Sequence, residues 1–306
     1  MSAMLDAAPT APRALGEILA AGSALAWAVA VILFRISGRR VHPVGLNLAK
    51  TVLALAAMAP TLALLGEPFL PDVPGRTIGL LLFSGVLGIA ISDTLFFYAL
   101  NRLGASLTAV VDCLYAPFVI GFSFLLLGER LSPVQLAGAG LVVSAILTLS
   151  KEGKIERIGR RDLVLGILYG ALAMFSVALG IVIVKPVLGG IPVFWATSVR
   201  LVGGALALAA LIPFLRGRRA ILAPLFEPRN WKALVPASFF GSYLSLVLWM
   251  GGMKFAKASV AAVLNQLSTI FIVVIAALFL KERMTAWKAL AVALALAGAC
   301  LASWPF

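Results

Sequence analysis

Again and again this chain returns to an apolar run of about 20 residues, the length a helix needs to cross a bilayer core. Ten such windows follow one another, at 15–35, 44–65, 77–100, 105–127, 133–150, 163–187, 192–215, 234–253, 258–280 and 285–304. Glycine, proline and charge mark the gaps: Gly66–Gly75 holds three prolines, 151–162 is a charged linker, and Arg216–Lys232 is a longer basic loop. Composition leaves no soluble alternative. Of the 306 residues 62% are hydrophobic and 12% charged, against about half and about a quarter in an ordinary globular chain. An all-α membrane protein with ten transmembrane helices is therefore expected. Helix starts are legible too. Ser132-Pro133-Val134-Gln135 reads as an N-cap, a proline at the first helical position and a capping-box glutamine. Thr285 stands ready to cap the last span without the glutamine.

The net charge of +13 raises the question of nucleic acid. The pattern excludes it, because the basic residues stand in short groups between apolar runs, where Lys and Arg flank spans on the cytoplasmic side. Cys113 and Cys300 lie inside apolar runs and read as small buried packing residues. His42 is the one histidine, with no thiolate or carboxylate at metal-ligand spacing, so neither a metal nor a cofactor is expected. Met1–Arg13 lacks the basic and apolar regions of a signal peptide, so the first span is expected to serve as its own insertion signal.

The chain repeats itself. Set Ala105 on Ala258 without gaps, and Ser106/Ser259, Ala109/Ala262, Phe118/Phe271, Glu129/Glu282 and Arg130/Arg283 coincide. Apolar helices match by chance, but a polar Glu-Arg pair at the same helix end is more telling. Going backward, Gly88 falls on Gly241, and Ala24–Ala26 resembles Ala171–Ala173. The repeats are read as 15–150 and 163–304, joined by the linker 151–162. With five spans in each, the second half must enter the membrane the other way up. The charges agree: loop 1–2 is basic (Arg35, Arg39, Arg40) while its counterpart has only Lys185. Loop 2–3 has only Arg76, while its counterpart has Arg216, Arg218, Arg219, Arg229 and Lys232. Inverted repeats of this kind build secondary transporters, with the site at the repeat interface near the midplane. By the positive-inside rule the odd-numbered loops are cytoplasmic and both termini outside.

These residues resemble the drug/metabolite transporter superfamily, in particular proteins with two EamA-type repeats. The resemblance rests on Ala24–Trp27 with Arg35, Pro43 to Lys50, Tyr98–Ser106, Ala116-Pro117 and Leu127–Leu131, and in the second half on Lys185, Pro192 to Arg200, Lys257–Ser259 and Leu280–Arg283. It implies ten helices in two inverted five-helix repeats around a central cavity, alternating access, and export of amino acids or transport of sugars, nucleotide-sugars or drugs. It also implies cytoplasmic termini, against the charge count; both orientations stay open at this point. Lys50 stands where such proteins usually have Arg, and Ile270 stands where Pro117 would repeat.

Few ionisable residues lie deep in the spans. Lys50, Asp93, Asp112 and Arg200 do, and such charges cost at least a few kcal/mol unless they face a cavity or a partner. At 1.5 Å per residue, Lys50 and Asp112 lie roughly 9 Å and Asp93 roughly 12 Å from the odd-loop face. The three are therefore able to meet, as a cavity-lining cluster that binds a zwitterion or carries a proton, or as a static ion pair. In the second half Asn265 matches Asp112 and Leu246 matches Asp93. Arg200 is left without a carboxylate at its depth, with the amides of Asn265 and Gln266 on offer. It suits a substrate carboxylate or phosphate, or else it snorkels or bonds helix-end carbonyls. Trp27, Phe96, Phe97, Tyr98, Tyr115, Phe175, Tyr243 and Trp249 are aromatic candidates for a cavity wall, with belt or lipid-facing positions as the commoner place for such residues; Trp27 and Tyr115 are favoured, because their helices carry the polar positions above. Pro117 is expected to kink span 4 and serve a gate. Gly85/Gly88, Gly138/Gly140 and Gly166/Gly170 read as helix-packing pairs, and Glu129 and Glu282 as structural groups at helix ends.

The function expected is secondary transport of a small metabolite across a bacterial-type inner (plasma) membrane, best matched to export of amino acids or similar compounds. The bilayer and a small-molecule substrate are the expected partners, with proton coupling as an option and no nucleic acid. No phosphate-binding GxxxxGK[ST] segment is present. A flippase for a lipid-linked intermediate is the alternative, and a membrane-embedded enzyme is disfavoured by the single histidine.

Overall fold

In hydrocarbon a backbone has no water to bond, so an apolar window can rest only as helix or closed barrel. The computed structural model describes residues 13–67, 72–128, 132–155, 158–256, 261 and 264–302; it contains helix in each of the ten windows and no strand among the described residues. The long helices are α1 (Arg13–Ser37), α2 (Pro43–Leu64), α3 (Gly75–Leu103), α4 (Ala105–Leu127), α5 (Pro133–Ile155), α6 (Arg160–Leu188), α7 (Val193–Leu211), α8 (Pro228–Phe255), α9 (Leu267–Phe279) and α10 (Ala286–Ala302). Seven described stretches are long and apolar enough to cross a membrane, and Pro133–Ala145, Leu267–Phe279 and Ala286–Leu301 are shorter apolar helices. α9 is short because its helix is interrupted at Gln266. Glu129, Arg130, Lys257, Ala258 and Ser259, which figure in the repeat, lie outside the described residues.

Local chemistry sets the ends. Ser132 Oγ accepts from Gln135 N at 3.2 Å and Gln135 Oε1 accepts from Ser132 N at 2.9 Å, the reciprocal capping box expected from the sequence. Thr285 Oγ1 accepts from Lys288 N at 3.1 Å and caps α10. Between the fifth and sixth spans, α5 runs on through Lys151–Ile155 and α6 begins at Arg160. Glu282 does more than sit at a helix end. Its carboxylate crosses to the start of α4 and accepts from Ala105 N (3.0 Å), Ser106 N (3.1 Å) and Ser106 Oγ (2.5 Å). A carboxylate at that place meets the positive end of the helix and its unpaired N–H groups.

The helices pack across the chain's midpoint. α1 lies against α8 and α9, and α6 lies against α3 and α4. α2 meets α7 and α8, while α7 meets α3. α4 crosses α9, and α5 pairs with α10. Matching helices of the two halves thus take exchanged partners. Serines stitch the first of these seams: Ser92 Oγ donates to Ala173 O at 2.9 Å, and Ser23 Oγ donates to Ser245 O at 2.9 Å. Glycines permit the close approach. A Cβ at Gly85 would stand 2.0 Å from Arg200 O, and one at Gly166 would stand 2.5 Å from Leu103 Cγ. Gly140 departs from the packing reading, since nothing lies within 4 Å of where its Cβ would be. Cys300 departs from the buried reading: it is exposed, whereas Cys113 is buried, and both are free thiols. Large apolar side chains cover the outside; Leu64 and Phe279 are 87% and 75% exposed, which suits lipid rather than water.

Candidate functional site

Two features of the backbone open space at the centre. α3 contains a π-helical segment at Val86–Ile91, and α8 contains one at Phe239–Ser245. A π turn adds a residue to a helix and leaves carbonyls without their usual partners, and it tends to mark functional sites. Asn47 on α2 satisfies those of α3, donating to Ile89 O (2.7 Å) and Ala90 O (3.3 Å). Ser176 on α6 donates to Leu87 O at 2.8 Å. The second feature is a break. α4 loses its regular ladder at Cys113–Leu114, where the N–H groups of both residues reach back only three positions, to Val110 O and Val111 O. Pro117 lacks the N–H that would bond Cys113 O, so this carbonyl has no helical partner at the break. The matching helix breaks at Gln266 although Ile270 replaces the proline, so proline is not what both breaks share.

A cavity lies between these features. Its wall takes Ser23 and Trp27 from α1, Lys50 from α2, Gly88, Ser92, Asp93 and Phe96 from α3, and Asp112 and Tyr115 from α4. From the second half come Arg200 on α7, Ser242, Ser245 and Trp249 on α8, Asn265 and Gln266 just before α9, and Ser268 on α9. Among the described residues neither α5 nor α10 contributes to the wall; each half lends residues of its first four helices. All eight residues expected at a binding site (Trp27, Lys50, Asp93, Asp112, Tyr115, Arg200, Asn265 and Gln266) thus stand on one wall. Pro117 is not among the lining residues; it follows Tyr115 by two positions on α4.

The charges are not arranged as a triad. Lys50 Nζ pairs with Asp93 Oδ2 at 2.6 Å, with only 4% of the lysine side chain exposed. Asp112 joins neither of them, and its Oδ1 is buried without a hydrogen-bond partner. Asp112 is the last residue of the first half of α4, directly before the break. Arg200 is 1% exposed and takes neither amide expected for it. Its Nη1 lies 2.9 Å from Met250 Sδ, its guanidinium lies over the Trp249 ring at 5.2 Å, and its Nε has no partner. Gly88 makes room for it: a Cβ there would stand 2.9 Å from Nη2. This glycine therefore serves the site rather than helix contact alone. The Tyr115 hydroxyl is buried without a partner of good geometry, beside the Trp249 indole with ring centroids 6.3 Å apart.

The sequence reading left out the wall serines and the π turns, and among the candidate aromatics it favoured Trp27 and Tyr115 while Phe96 and Trp249 also line the cavity. Trp27 and Phe96 face one another at 5.3 Å between ring centroids. A signal for the π turns existed in the Gly88/Gly241 match and in Ser92/Ser245, which fall in the same register. Of the remaining aromatics, Phe97 is buried against Phe34, Tyr98 stands with His42 and Tyr169, Tyr243 bonds Thr61 at 2.7 Å, and Phe175 is exposed.

Comparisons with known proteins match this architecture. The model of the EamA-like transporter family matches residues 14–151 and again 164–304. A protein of Archaeoglobus fulgidus named an uncharacterized transporter is 26% identical over 268 residues, 86% of this chain and 88% of that one. One of Clostridium kluyveri with the same name is 25% identical over 216 residues, 68% of this chain and 66% of that one. A crystal structure covering 95% of this chain and 97% of its own superposes with a TM-score of 0.69 at 20% identity, which is a likeness of fold.

Proposed function

The chain belongs to the EamA-like transporter family, and from that premise we propose that it exports a small zwitterionic metabolite, an amino acid or a close relative, through the central cavity. The observation that carries the proposal is Arg200. A guanidinium buried to 1% exposure, stacked on Trp249 and lacking any carboxylate partner among the described residues, holds open a place for a substrate carboxylate. Trp27, Phe96, Tyr115 and Trp249 supply apolar surface for a side chain, and Lys50, Asp93, Asp112, Asn265 and Gln266 supply polar wall.

In this reading ten spans form two oppositely inserted five-helix repeats in an inner-membrane-type bilayer. The exchanged helix partners and the matched π turns support that plan. Access alternates as the halves rock about the cavity, and Pro117, behind the break in α4, acts as a hinge. Counterflow tests it. The purified chain in liposomes is offered amino acids, sugars and cationic drugs, with and without a pH gradient. Exchange of amino acids, lost in Arg200→Gln, is the expected result. Exchange confined to sugars or cationic drugs would sink the zwitterion reading.

A further inference from the structure

The cavity wall also holds a recognition group of the opposite sign. α4 and the helix leading into α9 are broken at matching positions, Cys113 and Gln266, and the two helices cross there. Thr269 pins the crossing: its hydroxyl donates to Ala109 O at 3.2 Å and lies 3.4 Å from Cys113 Sγ. Where a half-helix ends, its last carbonyls carry the negative end of the helix dipole. The first half of α4 ends on Asp112, whose Oδ1 is buried without a partner. The lysine nearest in kind, Lys50, is already engaged by Asp93 at 2.6 Å. Asn265, Gln266 and Ser268 bring amide and hydroxyl oxygens to the same wall from the matching break. The Asp112 carboxylate, with the amide and hydroxyl oxygens of Asn265, Gln266 and Ser268 able to accept beside it, is the set that a small cation seeks in a membrane interior.

Resting on the reading of this cavity as a substrate site, we infer that Asp112 and the two facing breaks form a subsite for a small monovalent cation. Three sources share that chemistry: the ammonium group of the substrate, a coupling proton and an alkali ion. The subsite is single, because Asn265 replaces Asp112 in the second half. The other charged and titratable groups around the cavity and the break are Lys50 with Asp93, Arg200, Tyr115 and Cys113.

The test needs no transport. Full-length protein in detergent is unfolded by heat and followed by tryptophan fluorescence, at fixed ionic strength, in sodium, potassium, methylammonium or choline chloride and from mildly acid to mildly alkaline buffer. At least one of sodium, potassium, methylammonium or acid is expected to raise the midpoint above choline, and the effective one identifies the source. Asp112→Asn is expected to weaken that response at least about tenfold in half-saturating concentration. Asp162→Asn is the control; it disturbs only the surface pair with Arg102 at 3.6 Å and keeps the response. Asn265→Asp, which puts a second carboxylate at the matching break, is expected to tighten the response, and it serves should Asp112→Asn not fold. No response in the native protein, or the same response in Asp112→Asn as in the native protein, overturns the inference. Either result leaves the counterflow experiment to judge the transport reading separately.

Discussion

At the scale of single residues, partnership decides what a buried charge does. Lys50 and Asp93 neutralise one another at 2.6 Å. Removing one member leaves the other buried and uncompensated, at a cost of about 3–5 kcal/mol, whereas removing both is often nearly neutral. Asp93→Asn is therefore expected to lower the unfolding temperature in detergent well below that of Lys50→Met combined with Asp93→Leu. Equal losses in the two proteins would show that the pair does not hold helices α2 and α3 together. Arg200 has no such partner, and its planar fork over Trp249 is what lysine lacks. Arg200→Lys is expected to keep the fold and raise the half-saturating concentration of a carboxylate substrate at least about tenfold in counterflow. That Lys50, Asp93, Asp112 and Arg200 lie within apolar helices was legible in the sequence, because apolar neighbours flank each of them on both sides. Their pairing was not. Equal depth cannot say which ammonium faces which carboxylate, since that depends on how each helix is rotated and on where α4 breaks.

At the scale of elements, the helices approach as closely as their glycines allow. At Gly85 an added methyl would collide with the α7 backbone at 2.0 Å, while at Gly121 it would meet nothing within 4 Å. Gly85→Ala is expected to force α3 from α7 and sharply reduce folded yield. Gly121→Ala should stabilise by up to about 1 kcal/mol, the propensity gain of alanine over glycine in a helix. Size-exclusion profiles and thermal unfolding of the two variants read the contrast. The broken helix α4 yields a different kind of prediction. The second half keeps its break with Ile270 in the proline's place, so Pro117→Ala is expected to retain fold and substrate affinity while changing the turnover rate. A change in affinity alone would remove the hinge role. The π segments show where sequence reading runs out at this scale. Gly88 and Gly241 announced a matched feature, but a π turn is one extra residue in an otherwise helical ladder, and it leaves the apolar pattern almost intact.

At the scale of the molecule, the two repeats are units of sequence rather than separately folded bodies. α1 rests on α8 and α9, and α6 on α3 and α4, so each half buries its interior against the other. Glu282, near the far end of the chain, caps the start of α4 in the first repeat. Fragments 1–155 and 156–306 expressed separately are therefore expected to be degraded or aggregated, and expressed together to co-purify as one particle. Stable, monodisperse halves on their own would contradict the interlocking. The same arrangement explains the cavity, which neither half encloses: its carboxylates come from the first repeat and its unpaired guanidinium from the second.

By itself the sequence determined the helical class, the membrane setting, the repeat and which few charges lie deep, because each follows from local hydropathy and spacing under the rule that hydrocarbon satisfies no backbone group. It also brought forward the eight residues that share the cavity wall. Only the tertiary structure decided that Lys50 pairs with Asp93 while Asp112 and Arg200 keep atoms unpaired. Those outcomes depend on helix rotation, on the π turns and on contacts between residues far apart in the chain, such as Arg200 with Met250 and Trp249. Hydropathy is blind to them, because it reports how deep a residue lies and not what it faces.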